Sequence, residues 1–143
     1  MTMKRLLNWW DGVCQSVGLL RFVDIILRGI GQVMFQNNPV SGLFFFIAIG
    51  WGSYAADVPQ VAIGGLLGIV VATITAWWLR VDRAPLADGL YGFNAYLVGI
   101  ALPTFLAVSP LLWVYVALGA MVSVVATLAT TNLLKTWGIS GLT

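Results

Sequence analysis

The side chains with most to offer a ligand are amides set beside aromatic rings. In the stretch Gly31-Gln32-Val33-Met34-Phe35-Gln36-Asn37-Asn38-Pro39, Gln32 stands three residues before Phe35. An amide does not ionise, so it neither traps nor moves protons; it holds a small neutral molecule by hydrogen bonds. On a helix, residues three apart project from nearly one face. There an amide oxygen accepts an N–H while a ring packs on the flat side of a planar solute. The same pair also suits a plainer role, with Gln32 bonded to a neighbouring helix and Phe35 against lipid or core.

A second stretch, Gly89-Leu90-Tyr91-Gly92-Phe93-Asn94-Ala95-Tyr96-Leu97-Val98-Gly99, places Phe93 and Leu97 four apart on a shared face. Gly92, Ala95 and Gly99 let another face approach a neighbour closely. The stretch reads equally as an aromatic-rich packed helix, with Asn94 as a helix–helix hydrogen bond. Asn37, Asn38 and Pro39 form a structural break. Asparagine tolerates the left-handed conformation at a helix end, and proline opens the next helix. Their side chains also satisfy backbone groups that lipid leaves bare.

Catalysis is not indicated. The chain has no histidine and no glutamate, so a Ser-His-Asp group or a glutamate pair is impossible. The aspartates Asp11, Asp24, Asp57, Asp82 and Asp88 lie mostly at segment ends. The single cysteine, Cys14, excludes an internal disulfide and has no metal-ligand spacing. No metal, cofactor or phosphate-binding loop is called for, and the chain is not read as an enzyme.

The elements that must position these residues belong to a membrane. Of 143 residues, 60% are hydrophobic and 8% charged, where a water-facing domain carries about a quarter charged residues. The net charge of +2 is too small to point to nucleic acid. Basic residues here set orientation in the bilayer instead. The fold class is therefore an all-α polytopic membrane protein with about four transmembrane helices plus a half-membrane helix.

Residues 1–18 read as an interfacial N-terminal helix, with Trp9 and Trp10 at the headgroups and Asp11, Gln15 and Ser16 breaking the apolar run. Residues 19–38 read as a half-membrane helix and break, too charged to span, in which Asp24 and Arg28 pair on one face. Residues 39–143 hold the transmembrane helices, with expected spans at 39–56, 59–79, 85–102 and 110–134 and an interruption at Pro103. Gly64 and Gly68 give a small-xxx-small spacing for close packing, and Ser123, Thr127, Thr130 and Thr131 can bond within or between helices. Four crossings put Lys4, Arg5, Arg21, Arg28, Arg80, Arg83 and Lys135 on one side and Asp57 on the other. The positive-inside rule then makes that basic side cytoplasmic.

In these two stretches the chain resembles the urea transporter family. Gly31-Gln32-Val33-Met34-Phe35-Gln36-Asn37-Asn38-Pro39-Val40-Ser41-Gly42 is similar to the family's Gly-Gln-Val-x-Phe-x-Asn-Asn-Pro-x-(Ser/Thr)-Gly block. The stretch from Gly89 to Gly99 is similar to its Gly-Leu-x-Gly-(Phe/Tyr)-Asn-x-x-Leu-x-Gly block, and Asp82-Arg83 precedes it. The resemblance implies a passive, channel-like urea pathway in a multi-pass protein of the cell membrane, with the bacterial inner membrane as the expected location. It also implies two homologous halves of inverted orientation and a homo-oligomer, a trimer with one pore per protomer. By resemblance Gln32 joins a ladder of oxygens, and Phe35, Phe93 and Leu97 wall a narrow slot. Such a slot fits urea, which is flat with its N–H donors in one plane: edge oxygens replace lost water and apolar faces admit only something thin.

The chain resembles the N-terminal half of a bacterial member, shortened. Ile139-Ser140-Gly141-Leu142-Thr143 stands where the family carries Leu-Pro-x-x-Thr-x-Pro-Phe, with Ser140 in place of proline and no closing Pro-Phe. The expectation is a truncated product or a subunit whose second half is supplied separately. Three other readings stand beside transport of urea. A non-transporting membrane assembly subunit fits the half length, and a water or ammonia pore fits the uncharged amides. A small multidrug exporter fits the span count but needs an intramembrane carboxylate, which no span centre supplies.

Overall fold

The computed structural model describes residues 5, 8–10, 12–13 and 18–138. Most of the interfacial helix expected over 1–18, with Asp11, Cys14, Gln15 and Ser16, lies outside the described residues, as does the 139–143 motif. Among the described residues there are helices and turns and no strand. The elements are α1 (Gly18–Gln32), α2 (Pro39–Ala55), α3 (Gln60–Trp78), α4 (Arg83–Ala87), α5 (Phe93–Phe105) and α6 (Pro110–Thr136).

Each boundary has a local cause. Pro39 and Pro110 occupy the first turns of α2 and α6, where a missing N–H costs nothing. Asn38 caps α2 by accepting from the Val40 N–H at 2.9 Å, and Ser109 caps α6 by accepting from the Leu112 N–H at 3.3 Å. The left-handed residue after α1 is Phe35, with φ of 56°, and not an asparagine as expected; Asn38 is extended at φ −144°. Asp57 and Arg80, also left-handed, turn the chain at the two ends of α3.

The third expected span, 85–102, is divided. The five-residue α4 is followed by a turn through Gly89, whose φ is +73°, and α5 then starts at Phe93. The positive φ at Gly89 takes the chain out of the helix, and the backbone of Arg28 and Gly29 lies so close that no Cβ fits there. Pro103 does not interrupt α5, which runs on to Phe105. With 13 residues α5 is about 20 Å long, shorter than the hydrocarbon layer. The 19-residue α3 and 27-residue α6 are long and apolar enough to cross; the 17-residue α2 stands at the lower limit.

At the centre lies α3, in contact with α1, α2, α5 and α6. Its closest partner is α5. A Cβ at Gly64 would overlap the Gly99 carbonyl, and one at Gly68 the Ala95 carbonyl. The expected glycine seam is thus a real backbone-to-backbone crossing. In lipid, where the hydrophobic effect does not drive helices together, such contact is a main source of attraction. Ile69, Ala72, Ala76, Ala95, Val116 and Ala120 fill the interior, while Phe44, Trp51, Val122 and Val125 face outward. An apolar exterior around a small-residue interior is what a bilayer as solvent selects.

Candidate functional site

The site grows from the charged face of α1. Asp24 is 8% exposed and accepts from both Trp10 Nε1 at 2.7 Å and Arg28 Nε at 2.8 Å. Such a paired, doubly bonded carboxylate is tolerable where a lone one is not. The Asp24–Arg28 pairing is the one that their spacing predicted.

Arg28 carries the line onward. Its guanidinium donates to Asn37 Oδ1 at 3.0 Å, and Asn37 Nδ2 donates to the Asp88 carboxylate at 2.7 Å. Gln32 Nε2 donates to the backbone carbonyl of the same Asp88 at 3.0 Å. One residue on, Gly29 and Gly89 touch backbone to backbone. The two motif stretches, more than fifty residues apart, therefore meet at Asp88-Gly89. Sequence reasoning missed this: it left Asp88 among the segment-end aspartates. The available signal was a carboxylate directly preceding a Gly-x-x-Gly in an otherwise uncharged segment.

The bond to Asp88 engages the nitrogen of the Gln32 amide. Its oxygen takes no hydrogen bond among the described residues, and the side chain is half-buried. An acceptor with spare capacity is what a solute N–H requires. Phe35 lies elsewhere than expected. Because α1 ends at Gln32, the two do not share a helix face, and Phe35 projects from the turn 93% exposed. The cause is Gly31, whose carbonyl accepts from the N–H groups of Met34 and Gln36 and closes the helix.

Phe93 and Leu97 do share a face. They form one wall of a cavity of about 630 Å³ between α5 and α6, with Ser123 and Thr127 opposite. Thr127 bonds back to the Ser123 carbonyl at 2.9 Å, so its hydroxyl is engaged within α6. Asn94 lines the same cavity and makes no helix–helix hydrogen bond among the described residues, contrary to the simpler expectation. Gln32 and Phe35 do not line it. Gln32 connects to this wall through the Asp88–Gly92 turn that leads into α5.

Known proteins give an independent view. The family model described as urea transporter matches residues 23–143. Urea transporter 1 of Ovis aries and that of Capra hircus are each 40% identical over 103 residues, and that of Mus musculus 41% over the same length. In each case the match covers 72% of this chain and 25% of the relative. The chain thus spans about a quarter of the length of these curated relatives.

Proposed function

The chain belongs to the urea transporter family, and from that premise we propose that it forms part of a passive, channel-like path for urea across a cell membrane. Gln32 offers its free amide oxygen to a urea N–H. Phe93 and Leu97 supply apolar faces against the flat sides of the solute, and Phe35, which does not line their cavity, supplies a separate exposed ring. Urea loses water on entering such a slot, and edge oxygens replace the lost bonds one or two at a time. Several weak sites in series let it leave again. No proton moves and no bond is made or broken, so no acid, base or metal is needed.

The observation that carries this reading is the Gln32 amide. Its nitrogen is fixed to the Asp88 carbonyl at 3.0 Å while its oxygen takes no hydrogen bond among the described residues. An amide joined at one end and open at the other can hold a helix contact and a solute at once. The rest of the path comes from a second half, either more of the same polypeptide or another subunit, in a homo-oligomer such as the trimer that the family resemblance implies. Stopped-flow urea efflux from proteoliposomes tests the reading. Gln32→Leu is expected to reach the membrane in normal amount and to slow urea by about tenfold or more, the consequence of one desolvated donor left unpaired. Unchanged flux would remove Gln32 from the path.

A further inference from the structure

We propose that Asp88 is a positioning residue: with Asn37 it forms a latch that sets which end of the Gln32 amide faces the solute. The proposal rests on the urea reading above. Amide nitrogen and oxygen have nearly the same shape, so a glutamine free to rotate presents a donor as readily as an acceptor. A presented NH₂ would oppose the N–H edge of urea. Something must therefore hold the nitrogen, and the carbonyl of residue 88 does so at 3.0 Å.

A backbone carbonyl in a turn is only as well placed as the turn. This turn is held at two points. Gly29 and Gly89 touch, which fixes its depth against α1. The Asp88 carboxylate accepts from Asn37 Nδ2 at 2.7 Å, which fixes its rotation. Asn37 is itself oriented, since its Oδ1 accepts from Arg28 at 3.0 Å and leaves only its nitrogen for Asp88. Arg28 is anchored in turn by buried Asp24. Each polar group thus dictates the next, from Asp24 to the nitrogen of Gln32. Gln32 meets Asp88 through the backbone carbonyl and not the carboxylate, so the solute meets an oriented neutral amide.

The latch makes a prediction that loss of a generic surface contact does not. In Asn37→Asp, two carboxylates face each other and the latch opens. Combining it with Asp88→Asn restores a bond with the donor on the other side. The new amide at position 88 can donate to the new carboxylate at position 37, while Arg28 still has an oxygen to bind. Asp88→Asn alone keeps an acceptor oxygen and keeps the latch. The readout is hydrogen exchange of the Gln32 side-chain NH₂, observed by solid-state NMR on ¹⁵N-glutamine-labelled protein in its membrane assembly and assigned with Gln32→Leu. Exchange is expected to speed up by about tenfold or more in Asn37→Asp and in Asp88→Leu, as for loss of a hydrogen bond to a charged group. It should return to within about twofold of the parent protein in the double variant and stay there in Asp88→Asn. A double variant exchanging as fast as Asn37→Asp, or Asp88→Leu exchanging as slowly as the parent, would overturn the latch. This readout needs no urea, so it fails or succeeds separately from the urea reading, which Gln32→Leu flux decides.

Discussion

At Gln32 a single rotatable bond separates a useful amide from a wrong one. The amide type was legible in the sequence because an uncharged polar group in an apolar segment demands a purpose. Its partner was not legible, since a backbone carbonyl fifty-six positions away leaves no mark on residue type. The helix face expected to be shared by Gln32 and Phe35 is absent for a related reason. A phenylalanine at φ of 56° is uncommon enough that helical spacing from Gln32 looked the safer reading. Tyr96 provides a residue-scale prediction away from the site. On α5, it is fully buried in a cluster with Ile26 and Ile30 of α1 and Ile69 of α3, and its hydroxyl finds no partner among the described residues. Tyr96→Phe removes that unpaired group while keeping the ring. Thermal melting in detergent should show equal or greater stability, by up to about 2 kcal/mol, and a clear loss would mean that the hydroxyl is bonded.

Elements were legible where they begin with proline or carry a repeated small residue. Pro39 and Pro110 open their helices, and the Gly64 and Gly68 seam meets Gly99 and Ala95. The segment around Gly89 was not legible as a turn, because a single carboxylate, Asp88, beside a glycine in an otherwise apolar run does not by itself separate a turn from a helix. Gly89 turns the chain at φ +73° against the backbone of α1, a contact that closes the position to any side chain. Gly89→Ala tests this, since the side chain meets both a strained φ and the Gly29 backbone. The expected cost is about 2 kcal/mol or more in detergent unfolding, against about 1 kcal/mol for an ordinary glycine change. A neutral result would show that the two motif stretches are not packed this closely.

For the whole molecule, composition carried the argument. With 60% hydrophobic residues and an exterior bearing Phe44, Trp51 and Val122, the helices use lipid as their solvent. Topology follows from α3, whose 19 residues span about 28 Å between the turns at Asp57 and Arg80. A cysteine at position 57 and one at position 80, each in a Cys14→Ser background, should react with an impermeant maleimide from opposite sides of sealed vesicles. Reaction from one side would contradict the crossing. The proposed conduit was less legible, because this chain covers about a quarter of the length of its curated relatives.

The central claim is that urea touches the oxygen of Gln32. Solid-state NMR recoupling between ¹⁵N-urea and the ¹³Cδ of Gln32, in the membrane-assembled protein, measures it directly. An N–H···O=C contact places the two nuclei about 4 Å apart, so clear dephasing of the Gln32 signal is predicted, absent in urea-free samples. No dephasing at Gln32, under conditions where urea crosses the membrane through the protein, would contradict the account.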